Sequence, residues 1–254
     1  LNKIQPKTIF TGKKTVYLPS CHSTNDYLLE KIQKEEVEEG FLVYTDLQSK
    51  GKGQRGAQWH SEEGKNLMFT VLLKPGFLEI TNQFRLNIAV TLGIYDSLAE
   101  LNLSGLRIKW PNDIYIANKK VAGILIESLI TRNKMVSALV GIGLNVNQKG
   151  FSDLPFATSL SIENKGIELD RWFLLESLCE KIENRYSELP QTDWLVLKKE
   201  FEQKLFRIDQ WHLFKKDGEV FEGKIKGITH TGQLLIETKF GLNQFENKEF
   251  EYMI

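Results

Sequence analysis

The stretch Lys109-Trp110-Pro111-Asn112-Asp113, followed by Lys120-Val121-Ala122-Gly123-Ile124-Leu125-Ile126-Glu127, decides the reading of this chain. It sets a charged, amide-bearing cluster between two apolar runs of β character, residues 106–108 and 114–116. Pro111 cannot donate to a sheet ladder and restricts the residue before it, so the backbone breaks there. The chain turns at Ala117-Asn118-Lys119 and re-enters a strand that opens on a lysine. Burying Asn, Asp and Lys beside a sheet costs on the order of 1–3 kcal/mol for each unsatisfied group. A cluster of this kind is usually kept for chemistry, although a hairpin with a structural Asx turn would account for the local pattern by itself.

Outward from this segment the chain alternates strands and helices. Residues 16–18 read as a strand, and Ser23 or Thr24 can cap a helix carrying Tyr27, Leu28, Leu29 and Ile32. Strands are expected at 41–47, 66–73, 106–109, 114–116, 121–130 and 135–144. Leu86, Ala89, Val90, Gly93, Ile94, Ser97 and Leu98 recur at helical intervals between 84 and 101, as on a core helix. Further helices are expected at 170–189 and near 194–205. Beyond that the grain changes to short strands at 211–214, 220–228, 233–238 and 245–251, separated by turn residues. This pattern divides the chain at 204/205, with a small antiparallel barrel of SH3 type following the main domain.

Three further motifs carry candidate chemistry. Gln48 begins a polar stretch containing Gly51, Lys52, Gly53, Gln54, Arg55 and Gly56 and ending at Trp59. The glycines allow close backbone approach to a ligand, and the cations suit phosphate. The formal match to a dinucleotide fingerprint is false, because no helical period follows Gly56. A basic loop closing over an anion, with Trp59 anchoring its exit, is the better reading; a solvated surface loop is the plainer one. Ser23-Thr24-Asn25-Asp26 gathers hydroxyls and backbone N–H groups at a helix start, which capping alone also explains. In Val140-Gly141-Ile142-Gly143-Leu144-Asn145-Val146-Asn147, glycines inside a strand mark close approach, or a sheet corner. Asn145 and Asn147 would face one side and reach phosphate or a hydrated metal.

Composition bounds the alternatives. The 254 residues carry 33 basic and 33 acidic side chains, a net charge of zero that argues against a nucleic-acid coat or a membrane-surface protein. Two distant cysteines, Cys21 and Cys179, fit a reducing compartment and form no zinc ribbon. No apolar run is long enough for a membrane span and no leader opens the chain. These features predict a cytoplasmic protein without nucleic-acid or membrane partners.

Taken in order, the four motifs resemble the biotin protein ligase family over residues 16–147, and the barrel-like tail fits that family's C-terminal domain. The resemblance implies an α+β fold: a mixed β-sheet flanked by helices, class II synthetase-like as in biotin/lipoate ligases, plus an SH3-like barrel. It implies that biotin and ATP, with Mg²⁺ travelling on the nucleotide and no dedicated metal site, form biotinyl-5′-AMP and pyrophosphate. Biotin then passes to one lysine of a biotin carboxyl carrier protein, that of acetyl-CoA carboxylase or a related carboxylase. Ser23, Thr24, Asn25 and Gln48 would line the biotin end. Residues Gly51, Lys52, Gly53, Gln54, Arg55 and Gly56 would close over carboxylate and phosphates. Lys120 matches the lysine binding the biotin carboxylate and α-phosphate, and Gly123 and Gly141 match backbone contacts to biotin. Asn112, Asp113 and Asn145 fall where ATP, magnesium and the incoming lysine are handled, while Trp110 packs. Lys120, Asp113 and Arg55 carry the catalytic expectation.

Two positions depart from the family pattern. Gln54 stands where a basic residue is common, shifting the phosphate contact to Arg55 or Lys52, and Ala57 replaces an arginine or asparagine. With no room for a helix-turn-helix before residue 20, the single-function type without a DNA-binding domain is expected, as monomer or homodimer. Lipoate ligation on the same fold, a non-catalytic binding or adaptor role, and a nucleotide-cofactor oxidoreductase are the competing readings. Of these, the last rests only on the false glycine match.

Overall fold

The structure, a computed structural model, describes residues 4–132, 134–152 and 154–253, all with side chains except Arg55. Its frame is a seven-stranded mixed sheet in the order β1-β2-β3-β7-β6-β5-β4. The strands are β1 (Thr15–Cys21), β2 (Leu42–Gln48), β3 (Leu67–Leu73), β4 (Leu106–Lys109), β5 (Asp113–Ile116), β6 (Lys119–Thr131) and β7 (Lys134–Leu144). Only β1 and β2 pair in parallel, which requires a crossover, and helix α1 (Thr24–Lys34) supplies it. β3 is buried at every residue, as its unbroken apolar run requires in the middle of a covered sheet.

The two faces are covered differently. On one side α2 (Gln83–Ala99) and α4 (Arg171–Glu188) pack over Phe69, Val71, Ile124, Val140 and Ile142 as one large core. At Gly93 a Cβ would lie 2.8 Å from the Ile182 backbone, so glycine lets the two helices pack closely there. On the other side α1 covers only the β1–β3 and β7 region through Leu28 against Val43, Leu72 and Leu139. That partial cover leaves the rest of the face open near β5 and β6.

The main domain is completed by α3 (Leu160–Glu163) and α5 (Trp194–Gln203), and the tail adds β8 (Trp211–Lys216), β9 (Glu219–Ile228), β10 (Leu234–Thr238), β11 (Gly241–Phe245) and β12 (Glu251–Tyr252). Strands β8–β12 form the antiparallel sheet β11-β10-β9-β8-β12 of the SH3-like domain. One expectation is corrected here: residues 245–251 are not a strand. The β10–β11 pairing ends at Leu234 opposite Phe245. The chain then turns through Lys248 at φ 70° before returning as β12 beside β8.

The tail is fastened to the main sheet rather than hung from it. Ile108 in the edge strand β4 exchanges backbone hydrogen bonds with Lys204 and Phe206 at 2.9 and 2.8 Å, which caps an otherwise open edge. Trp110 donates from Nε1 to the Gly232 carbonyl at 2.8 Å and stacks on Phe250. Phe214, Ile225, Ile236 and Phe245 are continuous with the core of the main domain.

Candidate active site

A cavity of about 490 Å³ opens on the uncovered face, within the range of pockets that hold small-molecule ligands. Its floor is β6 and β7, its polar end the start of α1, one wall the 106–116 hairpin, and its rim the C-terminal turn. Four lysines, Lys52, Lys109, Lys120 and Lys248, face two carboxylates, Asp113 and Glu251, so the lining favours anions.

The decisive side chains are placed by a β-bulge. Asp113 lies opposite Gly123 and Ile114 opposite Ala122, but Tyr115 pairs with Lys120, leaving Val121 as the extra residue. In regular register Lys120 would face the other side of the sheet, because side chains alternate. The bulge turns it toward Asp113, whose carboxylate lies 2.7 Å from Lys120 Nζ. Lys109, opposite Asp113 across β4–β5, joins the same face and donates to Tyr115 Oη at 3.0 Å. The Lys109 ammonium sits 4.8 Å from the centres of both the Tyr115 and Tyr252 rings. Burial lowers its pKa, opposed by Asp113 and assisted by Lys120 and Arg207. Burial also raises the Tyr115 and Tyr252 phenols, keeping both neutral.

Trp110 and Pro111 are joined by a cis peptide, and Asn87 of α2 holds the Pro111 carbonyl at 2.9 Å. Asn112 is buried in the lining and donates from Nδ2 to the Ile124 carbonyl. Lys120 is framed by segment 156–158, its N–H donating to the Phe156 carbonyl at 2.7 Å.

At the polar end Ser23 caps α1, accepting from the Asp26 N–H at 3.5 Å. Gln48 Oε1 accepts from the Thr24 N–H at 2.8 Å, and Asn25 donates from Nδ2 to Glu127 at 2.6 Å. Ser23, Thr24, Asn25 and Gln48 all line the cavity. The glycine segment forms a narrow hairpin, with Lys52 bridged to Gln58 and a 3₁₀ turn at Gln54–Gly56. Gly56 takes φ +82° at its tip. Lys52, Gly53, Gln54 and Trp59 reach the lining, whereas Gly51 and Gly56 shape the hairpin from outside it. The Lys52 ammonium lies 2.5 Å from Asp26, whose hydrogen bond raises the lysine pKa. The side chain of Arg55 lies outside the described residues.

The strand glycines make room for side chains. A Cβ at Gly143 would sit 2.4 Å from the Trp59 ring, one at Gly123 would sit 3.0 Å from Lys120 Nζ, and one at Gly141 would sit 2.3 Å from Asn25 Oδ1. Asn145 lies outside the cavity lining and donates to the Thr158 carbonyl at 3.0 Å. Asn147 likewise holds Leu169 through both ends of its amide, at 2.9 Å each. The sequence sets this pair toward phosphate; in the structure both amides lie beyond the end of β7 and hold buried loop backbone.

Several lining residues lay outside the sequence reading: Tyr115, Phe156, Asn247, Lys248, Phe250, Glu251 and Tyr252. Behind the polar end, Thr70 also lay outside it, and Glu127, which closes the stretch from Lys120, had no role assigned. A hydroxyl and a carboxylate interrupting apolar strands were signals for these two. Nothing local marks the C-terminal turn.

The sequence profile of the biotin/lipoate A/B protein ligase family matches residues 17–145. The bifunctional ligase/repressor BirA of Bacillus spizizenii is 32% identical over 96% of this chain and 76% of its own length. A biotin–[acetyl-CoA-carboxylase] ligase of Paracoccus denitrificans is 37% identical over 38% of this chain and 40% of its own. Among solved structures, the biotin protein ligase of Aquifex aeolicus in complex with biotin and ATP superposes with a TM-score of 0.77 at 29% identity. That match covers 94% of this chain and 98% of the other.

Proposed function

The chain belongs to the biotin/lipoate A/B protein ligase family, and we propose on that premise that its cavity performs both steps of biotin transfer. It is an ATP-dependent, AMP-forming biotin–protein ligase, and its acceptor is a biotin carboxyl carrier protein. We assign the carrier to acetyl-CoA carboxylase or a related carboxylase, and the enzyme to the cytoplasm. Among the described residues no helix is long and apolar enough to cross a membrane.

The observation that carries the roles is the Lys120–Asp113 pair, 2.7 Å apart, at the edge of a cation-rich cavity whose far end is polar and neutral. In the first step a biotin carboxylate oxygen attacks the α-phosphorus and pyrophosphate leaves. Two anions must meet, and Lys120 offsets that repulsion. Lys52 and Lys248 extend positive charge toward the leaving phosphates. Mg²⁺ supplies further charge neutralisation on the ATP phosphates. The Asn112 amide and Asp113 carboxylate offer oxygens of the type such a hard cation accepts. The ion would arrive on its nucleotide, with these two oxygens as its protein contacts.

In the second step the carrier lysine attacks the acyl carbon, AMP leaves, and Asp113 orients the amine and takes a proton. The glycine hairpin and Trp59 cover the labile mixed anhydride against water. Hydrogen-bonding groups at Thr24 and Gln48 suit the ureido ring of biotin better than the dithiolane of lipoate, which has no such partner to offer.

Purified protein given biotin, ATP and Mg²⁺ releases pyrophosphate and then labels a carrier domain; Lys120→Ala abolishes both. Release only with lipoate would move the substrate to the sister activity, and no release with either would leave a binding protein. Asp113→Asn slows transfer from pre-made adenylate; unchanged transfer removes Asp113 from the second step.

A further inference from the structure

Two residues behind the polar end, Thr70 on β3 and Glu127 on β6, do not line the cavity, yet both hydrogen-bond to the side chains of α1 that do. Asn25 donates to Glu127 at 2.6 Å. Thr70 Oγ1 lies 2.6 Å from Asn25 Oδ1 and 2.7 Å from Thr24 Oγ1. Gln48 Oε1 receives the Thr24 N–H at 2.8 Å and its hydroxyl at 3.1 Å. Thr24, Asn25 and Thr70 are almost fully buried and Glu127 partly so, which makes each lost partner costly.

Proton accounting then runs in one direction. The Glu127 oxygen accepts from Asn25 Nδ2, which fixes the end of the Asn25 amide that faces it. The amide oxygen, seated in the slot that Gly141 leaves open, takes the single proton of Thr70. The Thr70 oxygen is left as an acceptor toward Thr24. The Thr24 proton therefore goes to Thr70 or to Gln48, and only a lone pair remains for the cavity. Gln48, its oxygen occupied by the Thr24 N–H, presents its NH₂.

We infer that Glu127, acting through Asn25 and Thr70, is the positioning residue that sets proton direction at this end, so that Thr24 offers an acceptor beside a donor on Gln48. The inference rests on the biotin reading above, because a cyclic urea carries the complementary N–H and C=O side by side. Glu127 thus selects for the ureido group without touching it.

The test measures kcat and KM for biotin and for ATP in Glu127→Ala, Glu127→Gln, Thr70→Val and Thr70→Ser. Glu127→Ala and Thr70→Val each raise the biotin KM about tenfold, with kcat and the ATP KM within about twofold. Glu127→Gln retains an acceptor for Asn25 and Thr70→Ser retains the hydroxyl, so both stay within about threefold of wild type. The double variant Glu127→Ala/Thr70→Val is no worse than either single one, since both break one relay. An unchanged biotin KM in Glu127→Ala overturns the assignment, as does a proportionate loss for ATP or a Gln variant as poor as Ala. A wild-type enzyme that releases no pyrophosphate with biotin overturns the substrate reading itself, and this inference with it.

Discussion

Asn247 donates from Nδ2 to Gln54 Oε1 at 2.6 Å, tying a turn of the C-terminal barrel to the tip of the glycine hairpin. Lys248 adds a bond to the Gln54 carbonyl at 3.1 Å. Gln54 thus serves as a latch between the two parts of the chain. Losing one such bond is worth about 1 kcal/mol, or about fivefold in an opening equilibrium. Asn247→Ala is accordingly expected to lose biotinyl-5′-AMP from the site about fivefold faster, measured by chasing labelled adenylate from the enzyme.

Gly143 and Trp59 form a matched pair. An added methyl at 143 meets the indole at 2.4 Å, so Gly143→Ala displaces Trp59 at a cost of about 1–3 kcal/mol. The cost disappears in a Trp59→Ala background. Urea denaturation of the four members of this cycle reads the coupling directly; additive effects would show that the ring is not what excludes the methyl.

Trp110 links the hairpin to the barrel through the Gly232 carbonyl. Trp110→Phe keeps an aromatic ring beside Phe250 but leaves that buried carbonyl without its indole donor, at about 1–3 kcal/mol. Because the core is continuous across both parts, the variant is expected to unfold in one transition at lower urea. Two separated transitions would show the barrel to be an independent unit.

Lys109 gives a pH dependence whose sign follows from its burial. Its folded pKa lies below the ordinary lysine value, so between the two the unfolded chain binds more protons and stability rises with pH. Tyr115 and Tyr252, raised by burial, act oppositely once unfolded tyrosine ionises near pH ~10. Wild type is therefore expected to gain stability over Lys109→Met as pH rises toward about 10, with both losing stability above it. Urea midpoints of the two proteins from pH 7 to 11 check this; parallel profiles below pH 10 would contradict it.

Much of the fold was written locally. The apolar strand 67–73, the helical period of 83–99 and the Asp170 and Asp193 caps of α4 and α5 depend on neighbours a few residues away. The chemistry of Lys109–Asp113 and Lys120 is likewise visible as charge set among strands, because burying such groups is costly without a use. A helix start also marked Ser23 and Thr24 as candidates, while Gln48 joined them through the family resemblance.

What only the tertiary structure decided is which way those groups face. Lys120 meets Asp113 because β5 and β6 slip by one residue at Val121, and a one-residue slip inverts a strand's facing without leaving a mark in composition. Asn145 holds a loop because the buried Thr158 carbonyl needs a donor there. Thr70 and Glu127 gain their role from strands more than 50 residues apart in sequence, and Asn247 reaches Gln54 across 193. Such contacts arise from cross-strand register and from the docking of the barrel, sums of many small packing energies that no short window of residues contains.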